Sequence, residues 1–346
     1  MKPSSSHAGH QRPMRLLPGK NRLKGLTLIE LLVALAISSI LALAAIAALV
    51  ISRQGFTSVD AASQLRDNAR FSTDLIQRLS VQAGYKDLQY ASTNRTANAA
   101  GLAANPDPNI TGFNNARASA TDPVNTSTAR AAGSAGFGSD ILILRHQVSE
   151  TFPGSGISDR SMINCAGVAS AVVPADRDAR EISILHVAVS LGELSLMCTT
   201  INSVSGDITT QPIVQGVENF QVLYGVDNVV PNTAPAAGAA SDAIADRFLR
   251  ADQMVVAADP VGTNANWRRV RSLRIGMVIR AAAGSAQEIV SQTFYPLGSG
   301  RNAAGGTPGS ALSSANDPGT VFTPTADNRL RQIVTFTVQL RNGQEF

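Results

Sequence analysis

The chain has 346 residues, of which 44% are hydrophobic, and a formal net charge of +4 at pH 7. This length allows one or two domains. The positive charge comes from six basic residues near the amino end, which are Lys2, Arg12, Arg15, Lys20, Arg22 and Lys24. Without them the net charge is −2, which excludes a strong global field for binding nucleic acid and leaves only a local arginine patch open.

A long apolar segment follows this basic stretch. Between Leu26 and Ser52 the only charged residue is Glu30. At a rise of about 1.5 Å per residue the segment would span roughly 40 Å as a helix, which is enough to cross a hydrocarbon core of ~30 Å. The flanking basic residues are expected to stay in the cytoplasm. The chain beyond Ser52 is therefore predicted to lie on the opposite side of the membrane.

Three interpretations of the apolar segment are open: a plain membrane anchor, a signal peptide and a membrane helix in which Glu30 marks a functional site. A signal peptide fits worst, because its apolar region has only about 7–15 residues. Glu30 favours the third interpretation, since a carboxylate inside an apolar membrane helix is costly and marks a functional site by default. Gly25 stands at the boundary between the basic and the apolar residues.

The run Gly25-Leu26-Thr27-Leu28-Ile29-Glu30 resembles the class III signal of type IV prepilins. The resemblance implies that a prepilin peptidase cuts after Gly25, that Leu26 becomes the N-methylated first residue, and that Glu30 acts in assembly. Most members of the family have Phe at the position of Leu26, and leucine keeps the residue large and apolar. In this region the chain is therefore similar to type IV pilins.

The helix is predicted to continue beyond Ser52 and to become amphipathic. Residues 53–83 contain no proline, and apolar residues recur at helical spacing at Leu65, Ala69, Ile76, Leu79 and Ala83. This spacing puts them on one face and leaves the charged residues on the other. Gly84 can end the helix in the left-handed conformation. We therefore expect one helix from Leu26 to Ala83, with Gly55 as its weakest point.

The rest of the chain alternates between polar loops and strand patterns. Residues 91–139 have almost no large apolar residue and are predicted to form a long surface loop with at most short turns, as are 228–243 and 298–328. Strands are expected at 140–144, 181–189, 194–200, 216–225, 270–280, 288–295 and 330–340. Together they predict an antiparallel sheet with one face on the second half of the helix, in an α+β fold.

The two cysteines, Cys165 and Cys198, both follow the apolar segment. In an oxidising periplasm such a pair predicts a disulfide, whereas free thiols would be expected in the cytosol. Metal binding is the alternative, but the spacing of the cysteines and the four histidines matches no zinc pattern. The sequence therefore predicts a Cys165–Cys198 disulfide and no metal site.

No motif for catalysis or cofactor binding is found. A phosphate loop and a GxSxG elbow are both missing from the sequence, so we expect no enzyme activity, no catalytic residue and no cofactor. His146 and His186 lie in apolar runs and are predicted to be partly buried strand residues. Asp176, Asp178 and Glu181 lack the spacing of a calcium loop and are predicted to form a solvated turn.

The densest basic cluster comprises Arg268, Arg269, Arg271 and Arg274. We expect a solvated strand edge at this position rather than a DNA-binding surface. Nucleic acid is accordingly not expected among the partners.

Several short stretches resemble PilW-like minor pilins. They are Ala83-Gly84-Tyr85 and residues 138–142, 164–167, 216–219, 223–227, 267–275 and 338–342. The resemblance implies a type IV pilin-like α+β fold, in which a long amino-terminal helix packs on an antiparallel head with long loops. A cysteine that often follows the Gly-Tyr pair in this family is replaced here by Lys86-Asp87-Leu88.

The resemblance also implies a function and an organisation. Residues 1–25 would be a cytoplasmic leader, residues 26–84 the helix with 26–52 in the inner membrane, and residues 85–346 a periplasmic head. The implied protein is a minor pilin that takes part in initiating type IV pilus assembly and ends at or near the pilus tip on the cell surface. Its partners would be prepilin peptidase, a tip adhesin, and other minor pilins and the major pilin through the helix. Alternatives are a minor pseudopilin of type II secretion and a tip adhesin or DNA-uptake subunit.

Overall fold

The computed structural model describes residues 25–87, 105, 107–174, 178–203, 205–236, 238, 241–298, 312–314 and 316–343. The basic stretch before Gly25 and the predicted turn residue Asp176 lie outside the described residues. The chain divides into two compact units, Met1–Arg53 and Gln54–Phe346. The helix α1 (Leu28–Gln82) contributes its first half to one unit and its second half to the other.

The second half of α1 has the predicted amphipathic pattern. The five residues predicted for its buried face, Leu65, Ala69, Ile76, Leu79 and Ala83, are all buried. The charged residues of the same stretch, Arg66, Asp67, Arg70, Asp74 and Arg78, are exposed. The helix passes Gly55 without interruption. Gly84 follows the helix with a φ of 78°, which is the left-handed conformation expected at a helix end.

Groups distant in the sequence satisfy the carboxyl-terminal end of α1. The Gly84 N–H donates to the Arg145 carbonyl at 2.9 Å. The Asn342 side-chain Nδ2 donates to the carbonyls of Val81 at 3.0 Å and Ala83 at 3.1 Å. The last carbonyls of a helix have no partner within the helix, so these bonds fix where the chain turns into the head.

Eleven strands and two short helices lie among the described residues beyond α1. The strands are β1 (Ile110–Phe113), β2 (Ala116–Ala118), β3 (Ser127–Ala129), β4 (Ile141–His146), β5 (Glu181–Ser190), β6 (Glu193–Ile201), β7 (Ile208–Gln215), β8 (Val217–Val226), β9 (Arg247–Leu249), β10 (Val270–Arg280) and β11 (Arg331–Gln339). The helices are α2 (Ala251–Met254) and α3 (Pro260–Trp267).

These strands form two larger antiparallel sheets and one ribbon. The first sheet has the order β1-β4-β5-β6-β7, the second has the order β11-β10-β8-β9, and β2 pairs with β3. The predicted hairpin is present, since β5 and β6 pair along their length and turn at Leu191 and Gly192.

The core lies between the second half of α1 and both larger sheets. Ile76 of the helix, Leu142 and Leu185 of the first sheet, and Phe220 and Ile275 of the second are fully buried in one cluster. Burial of this kind of apolar surface is the main favourable contribution to folding. The α+β class and the packing of antiparallel strands on α1 are thus confirmed, whereas the division of the strands between two sheets was not expected.

The prediction of a loop with at most short turns over 91–139 is wrong where the structure describes this segment, because β1, β2 and β3 lie within it. The buried Arg130 guanidinium donates from Nε to the Ala116 carbonyl at 2.8 Å and from Nη1 to the Ala135 carbonyl at 2.9 Å. The Asn115 side chain accepts from the Gly138 N–H at 2.8 Å. Hydrogen bonds to buried backbone therefore order this segment, and composition does not reveal such bonds.

The strand predicted at 288–295 is also wrong. Only Phe294 makes a bridge there, to Phe322. Ile289 and Val290 are 69% and 49% exposed, so this apolar pair does not face the core, and β11 is the neighbour of β10 on that side. Conversely, β7 was not predicted, because it contains Pro212, and proline cannot donate to a strand ladder.

Candidate assembly site

Reciprocal hydrogen bonds between Thr27 and Glu30 close the amino-terminal end of α1. The Thr27 backbone N–H and hydroxyl each donate to Glu30 Oε2 at 2.9 Å. The Glu30 N–H donates in turn to Thr27 Oγ1 at 3.3 Å. This arrangement is a capping box, in which a threonine just before the helix and a glutamate three residues later satisfy each other's donors.

Thr27 was missed as a site residue by the sequence reasoning. The signal was present, because threonine followed three residues later by glutamate, before an apolar run, is the pattern of a capping box. Gly25 and Leu26 directly precede this pair, and Leu26 is 76% exposed. Gly25, Leu26, Thr27 and Glu30 thus lie together within six positions at one helix end.

An uninterrupted apolar surface follows this helix end. Every residue from 25 to 52 is exposed, and within the described ranges α1 is the one helix long and apolar enough to cross a membrane. The Ser39 hydroxyl donates to the Ala36 carbonyl at 2.8 Å, so this polar group is satisfied inside the helix. Lipid or other apolar helices must cover a surface of this kind.

Cys165 and Cys198 are joined in a disulfide within the head. Their Cα atoms are 5.6 Å apart, and the bond closes a separation of 33 positions. Cys198 belongs to β6, and the Cys165 N–H donates to the Ser183 hydroxyl of β5 at 3.0 Å. The disulfide therefore attaches the segment before β5 to the middle of the first sheet.

His146 and His186 lie in strands, as predicted, but they are buried rather than partly buried. Burial lowers the pKa of both His146 and His186 to about 4. The His186 Nε2 and the Thr199 hydroxyl are hydrogen-bonded at 2.9 Å. Both imidazoles are therefore neutral near pH 7, and His186 has a structural partner.

The prediction of a solvated strand edge at the arginine cluster is wrong. Arg271 and Arg274 belong to β10, which lies between β11 and β8. The Arg271 Nη2 donates to the Ser241 hydroxyl at 2.8 Å, and the Arg274 Nη2 donates to the Leu297 carbonyl at 3.0 Å. Arg268 donates to the Asn105 side chain at 3.1 Å. Loop segments cover this part of the sheet, so the guanidinium groups are bonded to the protein itself.

The predicted turn around Asp178 and Glu181 has few groups that could bind a cation. Glu181 accepts a hydrogen bond from the Ser203 hydroxyl at 3.2 Å. Within the described ranges no group of three or more His, Cys, Asp or Glu side chains is arranged to bind a metal ion.

Two buried carboxyl groups were missed by the sequence reasoning. Asp140 accepts from the backbone N–H groups of Asn115 and Val222, both at 2.8 Å. Asp317 accepts from the Asn114 side chain at 3.2 Å. The two carboxyl groups thus fasten the turn between β1 and β2 to β8 and to the segment before β11. Asp140 lies in a stretch whose resemblance to minor pilins had been noted without a role.

A closed ring of charged residues joins the two larger sheets. In order around the ring its members are Glu193, Arg280, Glu218, Arg331, Asp327 and Arg329, with alternating sign. Neighbouring members are 2.6, 2.7 or 2.9 Å apart, except for the last pair of Asp327 and Arg329 at 3.8 Å. Glu193 begins β6 of the first sheet, while Glu218, Arg280 and Arg331 belong to β8, β10 and β11 of the second. We call these six residues the charge ring.

Two family models match parts of this sequence. Residues 185–342 match the family model described as type IV pilus-assembly protein W, and residues 20–46 match the prokaryotic N-terminal methylation motif. Among solved structures, a type IV-like pilin from Thermus thermophilus is 12% identical and aligns over 81% of this chain and 98% of its own, with a TM-score of 0.36. No curated protein matches the chain.

The two family matches cover different parts of the molecule. The methylation motif includes Gly25, Leu26 and Glu30, and the second match runs from β5 to Asn342. Over residues 20–46 and 185–342 the chain is therefore similar to PilW-like type IV pilins.

Proposed function

We propose that this minor pilin takes part in initiating type IV pilus assembly and is located at or near the pilus tip. One observation carries the proposal: Glu30 is the only charged residue between Leu26 and Ser52, and it lies inside the residues that match the methylation motif. Leucine at this position would partition into a membrane better by about 3 kcal/mol. A carboxylate at this depth is therefore explained by a partner rather than by anchoring.

The partner that fits Glu30 is the free, methylated amine of Leu26 on a neighbouring subunit. Opposite charges attract strongly in a low-dielectric layer, and an unpaired ion there is very costly. In the isolated chain the hydrogen bonds from Thr27 satisfy oxygen lone pairs of Glu30 but supply no positive charge. Entry into the assembly complex would supply it.

The proposal includes processing and topology. Prepilin peptidase would remove residues 1–25 by cutting after Gly25, and Leu26 would then be methylated. Residues 26–52 would cross the inner membrane, and residues 85–346 would form a head in the periplasm. The partners would be other minor pilins, the major pilin and a tip adhesin. The role would be structural, without catalysis.

Glu30→Leu tests this function. The variant should insert and be cleaved normally, because Gly25 and the leader are unchanged, but it should fail to enter the assembly complex. Ser39→Leu is a matched control, since it also replaces a polar residue of the apolar half with leucine. The measurements are the yield of sheared pili, the co-purification of partner pilins from membranes, and amino-terminal sequencing of the extracted protein.

Each outcome has a distinct meaning. Sequencing should give Leu26 as the first residue of both variants, and a start at Met1 or near residue 45 would reject the prepilin interpretation. Pilus yield and co-purification should fall in Glu30→Leu alone. Normal values in that variant would show that Glu30 does not act in assembly. Normal pili with a loss of protein secretion would assign the chain to type II secretion.

A further inference from the structure

The edges of the two larger sheets differ in how they are protected. An edge strand presents unpaired backbone groups, and proteins protect such edges with short strands, prolines or bulges. At three of the four edges such protection is present: β1 has four residues, β9 has three, and β7 contains Pro212 beside a register shift in its pairing with β6. The fourth, β11, has nine residues, no proline and continuous register with β10.

The pairing of β11 with β10 determines which backbone groups point outward. The Leu340 N–H donates to the Arg271 carbonyl at 2.9 Å, and the Leu330 carbonyl accepts from the Ala281 N–H at 2.8 Å. Inward and outward groups alternate along an antiparallel strand, so even-numbered residues face β10 and odd-numbered ones face away. Residues 333, 335 and 337 therefore direct N–H and C=O groups to the open side. Within the described ranges no hydrogen bond reaches these groups.

The side chains of β11 are suited to a further strand. On the core side Val334 and Phe336 pack against the cluster but stay only partly buried. On the other side Ile333 is 36% exposed. Residues 332–340 carry no charge, so they lack the charged side chains that keep other strands away from edges. A neutral strand with alternating apolar residues would complete the burial of Val334 and Phe336.

The direction of β11 argues against a second copy of the chain as the occupant. The start of β11 is linked to residue 58 of α1, because the Ser58 hydroxyl donates to the Ser285 carbonyl at 2.9 Å and the Ser285 hydroxyl accepts from the Leu330 N–H at 2.9 Å. Its end is linked to the end of α1 through Asn342. The strand and the second half of the helix therefore run the same way.

Self-pairing of β11 conflicts with this geometry. Antiparallel pairing with a second copy follows a two-fold axis that reverses the strand and the second half of the helix together, so the Gln54 ends of the two helices would point in opposite directions. For parallel pairing of two copies, the two-fold axis would run along the strands. The core-facing side of one copy's sheet would then continue into the outer side of the other copy's sheet. In that arrangement Val334 and Phe336 would stay uncovered.

We propose that the open edge of β11 is a docking site for one extended strand of a different protein, which lengthens the second sheet by β-augmentation. Backbone hydrogen bonds would supply affinity in this mode of recognition, and side-chain alternation would supply specificity. That the strand comes from another pilus subunit rests on the proposed function. The existence of the open edge does not depend on that function, because it follows from the geometry of β11.

Ile333→Pro in the full-length chain tests the site. It removes one outward N–H and leaves the ladder to β10 intact, and Ile333→Thr is the matched control that keeps this N–H. A photo-crosslinking benzoylphenylalanine at the exposed Gln339 is the probe, used in membranes of piliated cells. We expect one crosslink to an extended segment of another protein, with a yield about ten-fold lower in Ile333→Pro and unchanged in Ile333→Thr.

Hydrogen exchange of the unmodified chain provides a test that needs no variant. The amides of residues 333, 335 and 337 should exchange fast in the purified chain and slowly in complexes extracted from membranes. Amides that stay fast in such a complex, a crosslink to a second copy, or a crosslink unaffected by Ile333→Pro would overturn the proposal. A Glu30→Leu variant that still assembles would reject the proposed function instead, so the two failures can be told apart.

Discussion

The ionisation of one residue, Asp317, should affect the stability of the head. Burial raises its pKa to about 6, while Arg250 opposes this shift and Asp252 adds to it. The pKa of the fully buried Asp140 nearby is raised in the same direction, also by burial. Because the folded-state pKa of Asp317 lies above the unfolded one, its stabilising contribution is present at pH below about 4 and is lost as the pH rises through about 6.

We therefore predict that Asp317→Asn weakens the pH dependence of stability. In the wild type this group should lower the free energy of unfolding by on the order of 1–3 kcal/mol between pH 4 and pH 7. The asparagine oxygen can still accept from Asn114, so the variant should lose this decrease and be at least as stable at pH 7. Urea unfolding at several pH values measures the effect. The exposed Asp159→Asn should keep the wild-type profile, and an equally steep profile in Asp317→Asn would contradict the prediction.

At the scale of elements, local signals allowed some predictions and non-local bonds prevented others. The helix was predicted to within two residues, because the spacing of Leu65, Ala69 and Ile76 and the position of Gly84 are readable in the sequence. Alternation identified β10 and β11 in the same way. The strands between residues 110 and 129 were missed, because Arg130 and Asp140 order them through bonds to distant backbone. The site motif pointed to Gly25, Leu26 and Glu30, whereas the bonding of Glu30 to Thr27 was missed although its capping-box pattern is readable in the sequence.

The disulfide should determine the stability of the segment that it attaches to β6. For a loop of this length the chain-entropy model gives a contribution of on the order of 3–4 kcal/mol. We expect a Cys165→Ser, Cys198→Ser double variant to lose about this much free energy of unfolding, and reduction of the wild type to cause a similar loss. Alkylation and mass measurement of the native protein should find no free thiol. Two labelled cysteines would disprove the bond.

At the scale of the whole head, the charge ring is one of the polar links between the two larger sheets. Glu218 is central to it, because its side chain is 5% exposed and contacts both Arg280 and Arg331. A buried ion pair adds little compared with a well-packed apolar pair, but removal of one partner leaves an uncompensated charge. The ring is therefore sensitive to the loss of any buried member.

Glu218→Gln tests the ring. It keeps the shape of the side chain but removes its charge, so we expect a loss of about 3–5 kcal/mol in the free energy of unfolding. Asp252→Asn is a matched control, because it removes the carboxylate of the more exposed Arg250–Asp252 pair and should cost at most about 1 kcal/mol. Urea unfolding at one pH compares the two. Equal losses of unfolding free energy in both variants would show that the charge ring contributes no more to stability than the exposed Arg250–Asp252 pair.

The contact between Asn342 and the end of α1 has a consequence for the timing of biogenesis. Asn342 and Val81 are 261 positions apart, so their bond forms only after residue 342 has left the ribosome. Until then the carbonyls of Val81 and Ala83 lack this partner, and the final turn of the helix frays. A polypeptide that stopped short of residue 342 would keep this loose turn. Proteases that attack frayed ends could thereby distinguish a chain that lacks residue 342 from one that contains it.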